Sequence, residues 1–217
     1  MEADMTTGNE KKPSLFGLIT SPVRQFERMG KRPAIWLPMV IVLALSAAST
    51  YLNVATFYSS VQRFEITAYF QSLSILLDIL KTGIFFFLSA LIFWLIASIG
   101  GGKTNFLSML SLSIFISFIA TSGHVINNLV YYVSEGKHEA PVTSLQGIIS
   151  IGEPFQSMLG VFDIFTVWPL ILIGVGLQHA GGASKRASWI GVAVLFALIF
   201  LVASLFGLAK AFFSATF

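Results

Sequence analysis

The chain has no cysteine at all, and charged residues make up only 11% of its 217 positions. The first absence excludes a disulfide framework, a thiolate zinc site and a thiol nucleophile. The second excludes an ordinary water-facing domain, in which about a quarter of residues are charged. Histidine is nearly absent too, with three copies at His124, His138 and His179. They fall in separate segments, so no H-E-x-x-H type of metal site can form, and the residues indicate no cofactor. The small net charge of +3 does not form the basic, aromatic-studded face that nucleic acid needs.

What is present is apolar: 55% of the residues are hydrophobic, and the mean hydropathy is +0.82. The expected fold class is all-α, a polytopic membrane protein with a bundle of five transmembrane helices and a short N-terminal interfacial helix. A bilayer core needs roughly 20 apolar residues per crossing. The spans are placed at about 33–58, 72–99, 106–132, 158–178 and 187–213. The first apolar run begins only after Arg32 and is far longer than a signal-peptide core, so no cleavable signal is expected.

Residues 1–13 are polar and aperiodic and read as a disordered tail. Residues 14–32 read as an interfacial amphipathic segment. Ser21 before Pro22 marks a helix start, and Val23, Phe26 and Met29 then share one face, suited to lying on a membrane surface. Ser46, Ala47, Ala48 and Ser49 supply small packing positions in the first span. In the second, Asp78 and Lys81 are three apart and share a helix face. The preferred reading starts the membrane near Thr82 and lets both project to water, Lys81 by snorkelling.

The third span is polar for its depth, with Ser108, Ser111, Ser113, Ser117, Thr121, Ser122, His124, Asn127 and Asn128 along it. Hydroxyl and small residues let helices approach and hydrogen-bond across a bundle, so this helix is expected at the centre. Ser122 and His124 are the residue types of a serine protease, but such near neighbours on one helix point apart. Ser122 reads as packing, and His124 as a packing or interface residue. Gly100-Gly101-Gly102-Lys103-Thr104-Asn105 reads as a tight turn, since no phosphate-loop spacing follows a strand. Residues 134–157 form a polar connection, with a short re-entrant or surface helix expected at Leu145–Ile149.

Asp163, Thr166 and Trp168 stand together at the head of the fourth span, one turn below its outer end, followed by Pro169. A carboxylate there needs a partner, water or an interface. The structural reading has Asp163 accept hydrogen bonds from Ser or Asn of the third span. The functional one has it bind a cation or proton, and the structural reading is preferred. Pro169 removes a helix hydrogen bond, and Gly174 and Gly176 permit close approach of a neighbour.

Positive charge sets orientation. Lys11, Lys12, Arg24, Arg28, Lys31, Arg32, Lys103, Lys185 and Arg186 fall on one side, and Arg63, Lys137 and Lys210 on the other. The expected placement is in the cell membrane, multi-pass, with the N-terminus cytoplasmic and the C-terminus extracytoplasmic.

Three features in this order resemble the Yip domain family, the Ypt/Rab-interacting type of five-span membrane protein with many bacterial members. They are Ser21-Pro22-x-x-x-Phe26, Gly101-Gly102-Lys103-Thr104-Asn105-Phe106, and Phe162-Asp163-Ile164-Phe165-Thr166-Val167-Trp168 followed by Gly174-x-Gly176-Leu177. The resemblance runs from about Ser14 to Phe213. It implies a five-helix bundle with a cytoplasmic N-terminus and brings no catalytic residues. Eukaryotic members bind small GTPases through longer N-terminal regions than this chain's lead-in. Some bacterial members look like accessory subunits of export ABC transporters, aiding assembly or protecting against secreted antimicrobial peptides. The expected function is therefore a non-enzymatic membrane interaction protein, an accessory or assembly factor. Its expected partners are membrane lipid and other integral membrane proteins, such as ABC exporter subunits, with room for a homo-oligomer. The alternative is a small transporter or ion-conducting protein using Asp163, Asp78 and the polar third helix.

Overall fold

The computed structural model describes residues 11–61, 67–137 and 140–216, and among these it contains helices and no strand. The expected disordered tail lies outside the described residues except for 11–13, of which Pro13 is buried. Arg63 and His138 lie outside them too. Two short N-terminal helices, α1 (Gly17–Thr20) and α2 (Pro22–Lys31), lead into α3 (Trp36–Val61), α4 (Thr67–Ile99) and α5 (Phe106–Val133). After a loop come a 3-10 turn at Leu145–Gly147, then α6 (Phe155–Leu159), α7 (Ile164–His179) and α8 (Lys185–Thr216).

Four of these, α3, α4, α5 and α8, are long and apolar enough to cross a membrane, and α7 is a shorter apolar helix. Sixteen residues of α7 reach only about 24 Å, less than a hydrocarbon core of roughly 30 Å. Its path through the bundle is nevertheless clear from its neighbours on α5. Phe165 packs on Gly123, Leu112 on Gly176, and Thr104 hydrogen-bonds Ala180. The helix therefore runs antiparallel to α5 from one end of the bundle to the other. By the same test α3 is parallel to α5, with Ala34 opposite Ser111 and Ser49 opposite Asn128.

The polar third span is the centre. Of its most apolar stretch 67% lies buried in the bundle, against 6% for α8 at the edge. Lipid is as apolar as leucine, so burial alone does not draw helices together in a bilayer. Close packing over small residues and hydrogen bonds between helices must do so. Accordingly Ser111 donates to the carbonyl of Ala34 at 2.9 Å, and Asn128 donates to the Ser49 hydroxyl at 2.8 Å. Met109, Leu112, Ile114 and Phe115, all at 0% exposure, fill the space between.

Three expectations need correction. The face of α2 carrying Phe26 and Met29 is fully buried, packed against α7 and α5 rather than lying on lipid. Both surfaces are apolar, and the bundle offers the closer fit. Val23 on that helix stays 39% exposed. The fourth crossing does not run unbroken from Met158: α6 ends at Leu159, and a new helix begins only at Ile164. The Asp163 backbone is extended there, and its side chain caps the new helix. The expected helix at Leu145–Ile149 is only the three-residue 3-10 turn.

At one end of the bundle the two glycine turns interlock. The Ser184 N–H donates to the Gly100 carbonyl at 3.0 Å, and the Thr104 hydroxyl to the Ala180 carbonyl at 3.3 Å. Gly101 and Gly182 hold positive φ (82° and 67°), which glycine adopts without the steric cost a side chain imposes. Gly102–Thr104 thus packs against a second turn. This end also carries Lys31, Arg32, Lys103, Lys185 and Arg186, and is called the basic end below; the other is the loop end.

At the loop end Glu153 clasps the far part of α8. Its carboxylate lies 3.5 Å from the Lys210 ammonium and accepts from the Ser157 hydroxyl at 2.9 Å and amide at 3.1 Å. Partial burial works against its charge, but the Ser157 donors and Lys210 outweigh this and hold its pKa below the ordinary 4.5. A carboxylate with a depressed folded pKa stabilises fully above its unfolded pKa and loses that contribution as pH falls through the folded value. Protection of residues 150–160 against hydrogen exchange, taken relative to the intrinsic rate at each pH, is therefore expected to hold above about pH 4.5 and to fall below it. Glu153→Gln should flatten that acid-side fall; an unchanged profile in the variant contradicts the clasp.

Candidate functional site: a polar clasp and cavities around the third span

Asp163 is 7% exposed and stands immediately before α7. One carboxylate oxygen accepts from the Phe165 amide at 2.6 Å, which satisfies one of the orphan N–H groups at the helix start. The other accepts from the Thr143 hydroxyl at 2.6 Å. Thr143, its one proton given to Asp163, accepts in turn from the Asn127 amide N–H of α5 at 2.8 Å. The clasp thus joins α7, the loop and α5. The third span reaches Asp163 through a loop threonine rather than directly. Nothing periodic marks Thr143 in the sequence, and its only advance signal is a β-branched hydroxyl beside Pro141 in a polar stretch.

The other expected residues divide. Thr166 is half-buried and lines a cavity beside Asp163, whereas Trp168 is 41% exposed on the outer surface of α7 and stands apart from the clasp. The Ser122 hydroxyl donates back to the Phe118 carbonyl of its own helix at 2.7 Å. Asn128 binds Ser49 on α3 and is separate from Asn127's network.

Asp78 and Lys81 do pair, at 2.6 Å, but they part company in exposure. Lys81 is 75% exposed, as expected of a snorkelling side chain, while Asp78 is only 11% exposed. The Ser46 hydroxyl of α3 donates to the Asp78 carboxylate, and Ser46 also meets Thr82 at 3.1 Å. The preferred reading, with both groups projecting to water, is thus corrected for Asp78. Hydroxyls on facing helices supply the hydrogen bonds that water was expected to give.

Three cavities open around this half of the bundle. A polar one of about 410 Å³ lies between α3, α4 and α5 and contains Asp78, Lys81, Thr50, Asn53 and Thr121. A mostly apolar one of about 380 Å³ lies between α4, α5 and α7, with Phe93, Ile116, Leu170 and Ile173 in its walls and Asp163 and Asn127 at its polar end. A third, of about 320 Å³, reaches Tyr131, Ala140 and Pro141 at the loop end. His124 borders all three. Its side chain is exposed, so it faces open space rather than packing. Among the described residues no cluster of three or more His, Asp or Glu could hold a metal ion.

Such a bundle is a multi-pass membrane protein. Residues 16–206 match the Yip1 domain family, and the chain belongs to that family. It is 37% identical over 219 residues to Membrane protein YknW of Bacillus subtilis (strain 168), an alignment that covers 95% of this chain and 94% of YknW. No solved structure matches it.

Proposed function

We propose that this chain is a non-enzymatic interaction protein of the cell membrane, an accessory or assembly factor for a membrane complex. The observation that carries this reading is how the polar side chains of the spans are used. Asp163, Asn127, Asn128, Ser49, Ser46, Asp78 and Ser111 are engaged in hydrogen bonds that tie helices to one another or to the loop. They form a frame, not a nucleophile with its base. Meanwhile α8 gives little to its own bundle and turns Ile190, Val194, Leu198, Leu201 and Leu205 outward as a continuous apolar face. That face is open to a neighbouring integral membrane protein. The family resemblance points to an export ABC transporter as the complex concerned.

A photoreactive amino acid placed at Leu201 tests this in intact membranes. A single cross-linked protein of defined mass is expected from Leu201, and none from the buried Leu172. Labelling of lipid alone from every position along α8 contradicts the reading.

The orientation follows from charge. The basic end is cytoplasmic, and the loop end and C-terminus are extracytoplasmic. A reporter fused after Phe217 is expected to be active only outside the cytosol; a cytosolic signal overturns this threading.

The second reading, a small transporter, draws on the polar cavity at Asp78. Proteoliposomes carrying the protein should then move an ion or solute, and lose that flux in Asp78→Asn or Asp163→Asn. Absence of flux removes it.

A further inference from the structure

We propose that the loop-end half of the bundle binds a cationic amphiphile: a primary ammonium seated in the polar cavity at Asp78, and an apolar body carrying a carbonyl acceptor in the cavity between α4, α5 and α7. Four observations carry this, and none depends on the accessory role.

The first is adjacency. The two cavities share Phe85, Ser117, Ala120 and His124 as walls and adjoin at the α4–α5 contact, so a flexible molecule that passes Phe85 reaches both. The second is an unused donor. The Ser113 hydroxyl lines the apolar cavity at 1% exposure and has no hydrogen-bond partner among the described residues. Other span serines use theirs, Ser111 and Ser46 on a neighbouring segment and Ser122 and Ser204 on their own helix. Ser108 is also without a partner among the described residues, but it does not line this cavity. A buried hydroxyl left without a partner costs about 1–3 kcal/mol, and an acceptor on an occupant removes that cost. Ser113 and His124 are eleven residues apart on α5, about 16 Å, so head and acceptor lie well separated.

The third is the sign of the field. Asp78 and Asp163 both sit inside, and among the described residues the one full cation lining these cavities is Lys81, at the rim and 75% exposed. An incoming ammonium can replace the Lys81 head on Asp78, while the lysine's flexible stem swings outward. An anionic head meets two buried carboxylates. The fourth is access. Phe85 and Ile199, on the edge of the apolar cavity, are 58% and 39% exposed, so its mouth faces the surrounding lipid. A volume of about 380 Å³ lies within the range of roughly 300–1,000 Å³ typical of ligand pockets.

The test uses full-length protein in phosphatidylcholine nanodiscs and a primary alkylammonium ending in benzophenone, whose ketone is both the acceptor and the photoreactive group. Control probes replace the ammonium with a hydroxyl or a sulfate. The ammonium probe is expected to label α5 near Ser113 and α7 near Ile173. About tenfold of that labelling should disappear in Asp78→Asn, which removes the head's partner, and in Ser113→Leu, which fills the far cavity. Thermal unfolding checks that each variant folds. If Asp78→Asn does not fold, Ser117→Leu in the shared wall takes its place with the same expected loss. Equal labelling by all three probes, labelling confined to outward faces, or labelling unchanged by the substitutions overturns the proposal.

Discussion

Gly102→Val is expected to destabilise the protein by about 3 kcal/mol, the upper end of the usual cost of overpacking. At roughly 2–4 °C per kcal/mol for a chain of this size, the melting temperature in detergent should fall by about 6–12 °C. The reason is what a Cβ at this position meets. It runs into the carbonyl oxygen of Gly181, with the Ala97 carbonyl oxygen at 2.9 Å and the Ala183 nitrogen at 3.1 Å. All three are backbone atoms, of the facing turn and of the last turn of α4, so no side-chain rotation relieves the clash. The turns must separate, and with them the ends of α4, α5, α7 and α8. Gly83→Ala is the control. Nothing lies within 4 Å of its added methyl, and alanine is the better helix former by about 0.5–1 kcal/mol. That variant should be neutral or slightly stabilised. Equal losses in the two variants would show that the interlock has no special role.

Asp163→Ala should cost about as much, through a different route. It removes the cap on α7, typically worth about 1 kcal/mol, and deprives the Thr143 hydroxyl of a charged acceptor, worth about 1.5–3 kcal/mol. These losses are not additive, and about 3 kcal/mol is the expected total. The damage should be local first: amide exchange at 163–168 and at 140–147 should accelerate before the remainder of α5. Asp163→Asn keeps a carbonyl oxygen for the Phe165 amide and should lose only about 1 kcal/mol. Thr143→Val removes the bridge from the other side. A double-mutant cycle between Asp163 and Thr143 should give a coupling of at least about 1 kcal/mol. A coupling near zero would mean that the two groups share space without holding each other.

How much of this could be read in advance follows from the range of each interaction. Apolar run length placed α3, α4, α5 and α8, because a helix must satisfy its own backbone in lipid and so announces itself by length. The hydroxyls of Ser108, Ser111, Ser113 and Ser117 marked α5 as central, since they serve a purpose only against other helices. Ser21-Pro22 marked the start of α2, and the triple glycine marked a turn. What the residues could not convey is which partner each polar group meets. Thr143 lies 20 residues from Asp163, and Ser46 lies 32 from Asp78. No local period encodes such pairings. The start of α7 was misplaced because Met158, Leu159, Val161 and Phe162 continue the apolar run, hiding a break that Asp163 makes by capping. The burial of Phe26 and Met29 against the bundle was hidden for a related reason. An amphipathic helix displays an apolar face, but the face is the same whether lipid or protein covers it.

The proposed role has this Yip1-family protein work by contact with a neighbour in the membrane. The most direct test is the composition of the particle extracted in mild detergent or native nanodiscs from cells that express the full chain at its natural level. A second integral membrane protein in fixed stoichiometry is expected, released when charged residues are introduced together at Val194 and Leu201 on the outward face of α8. A particle that contains this chain alone under several gentle extraction conditions contradicts it.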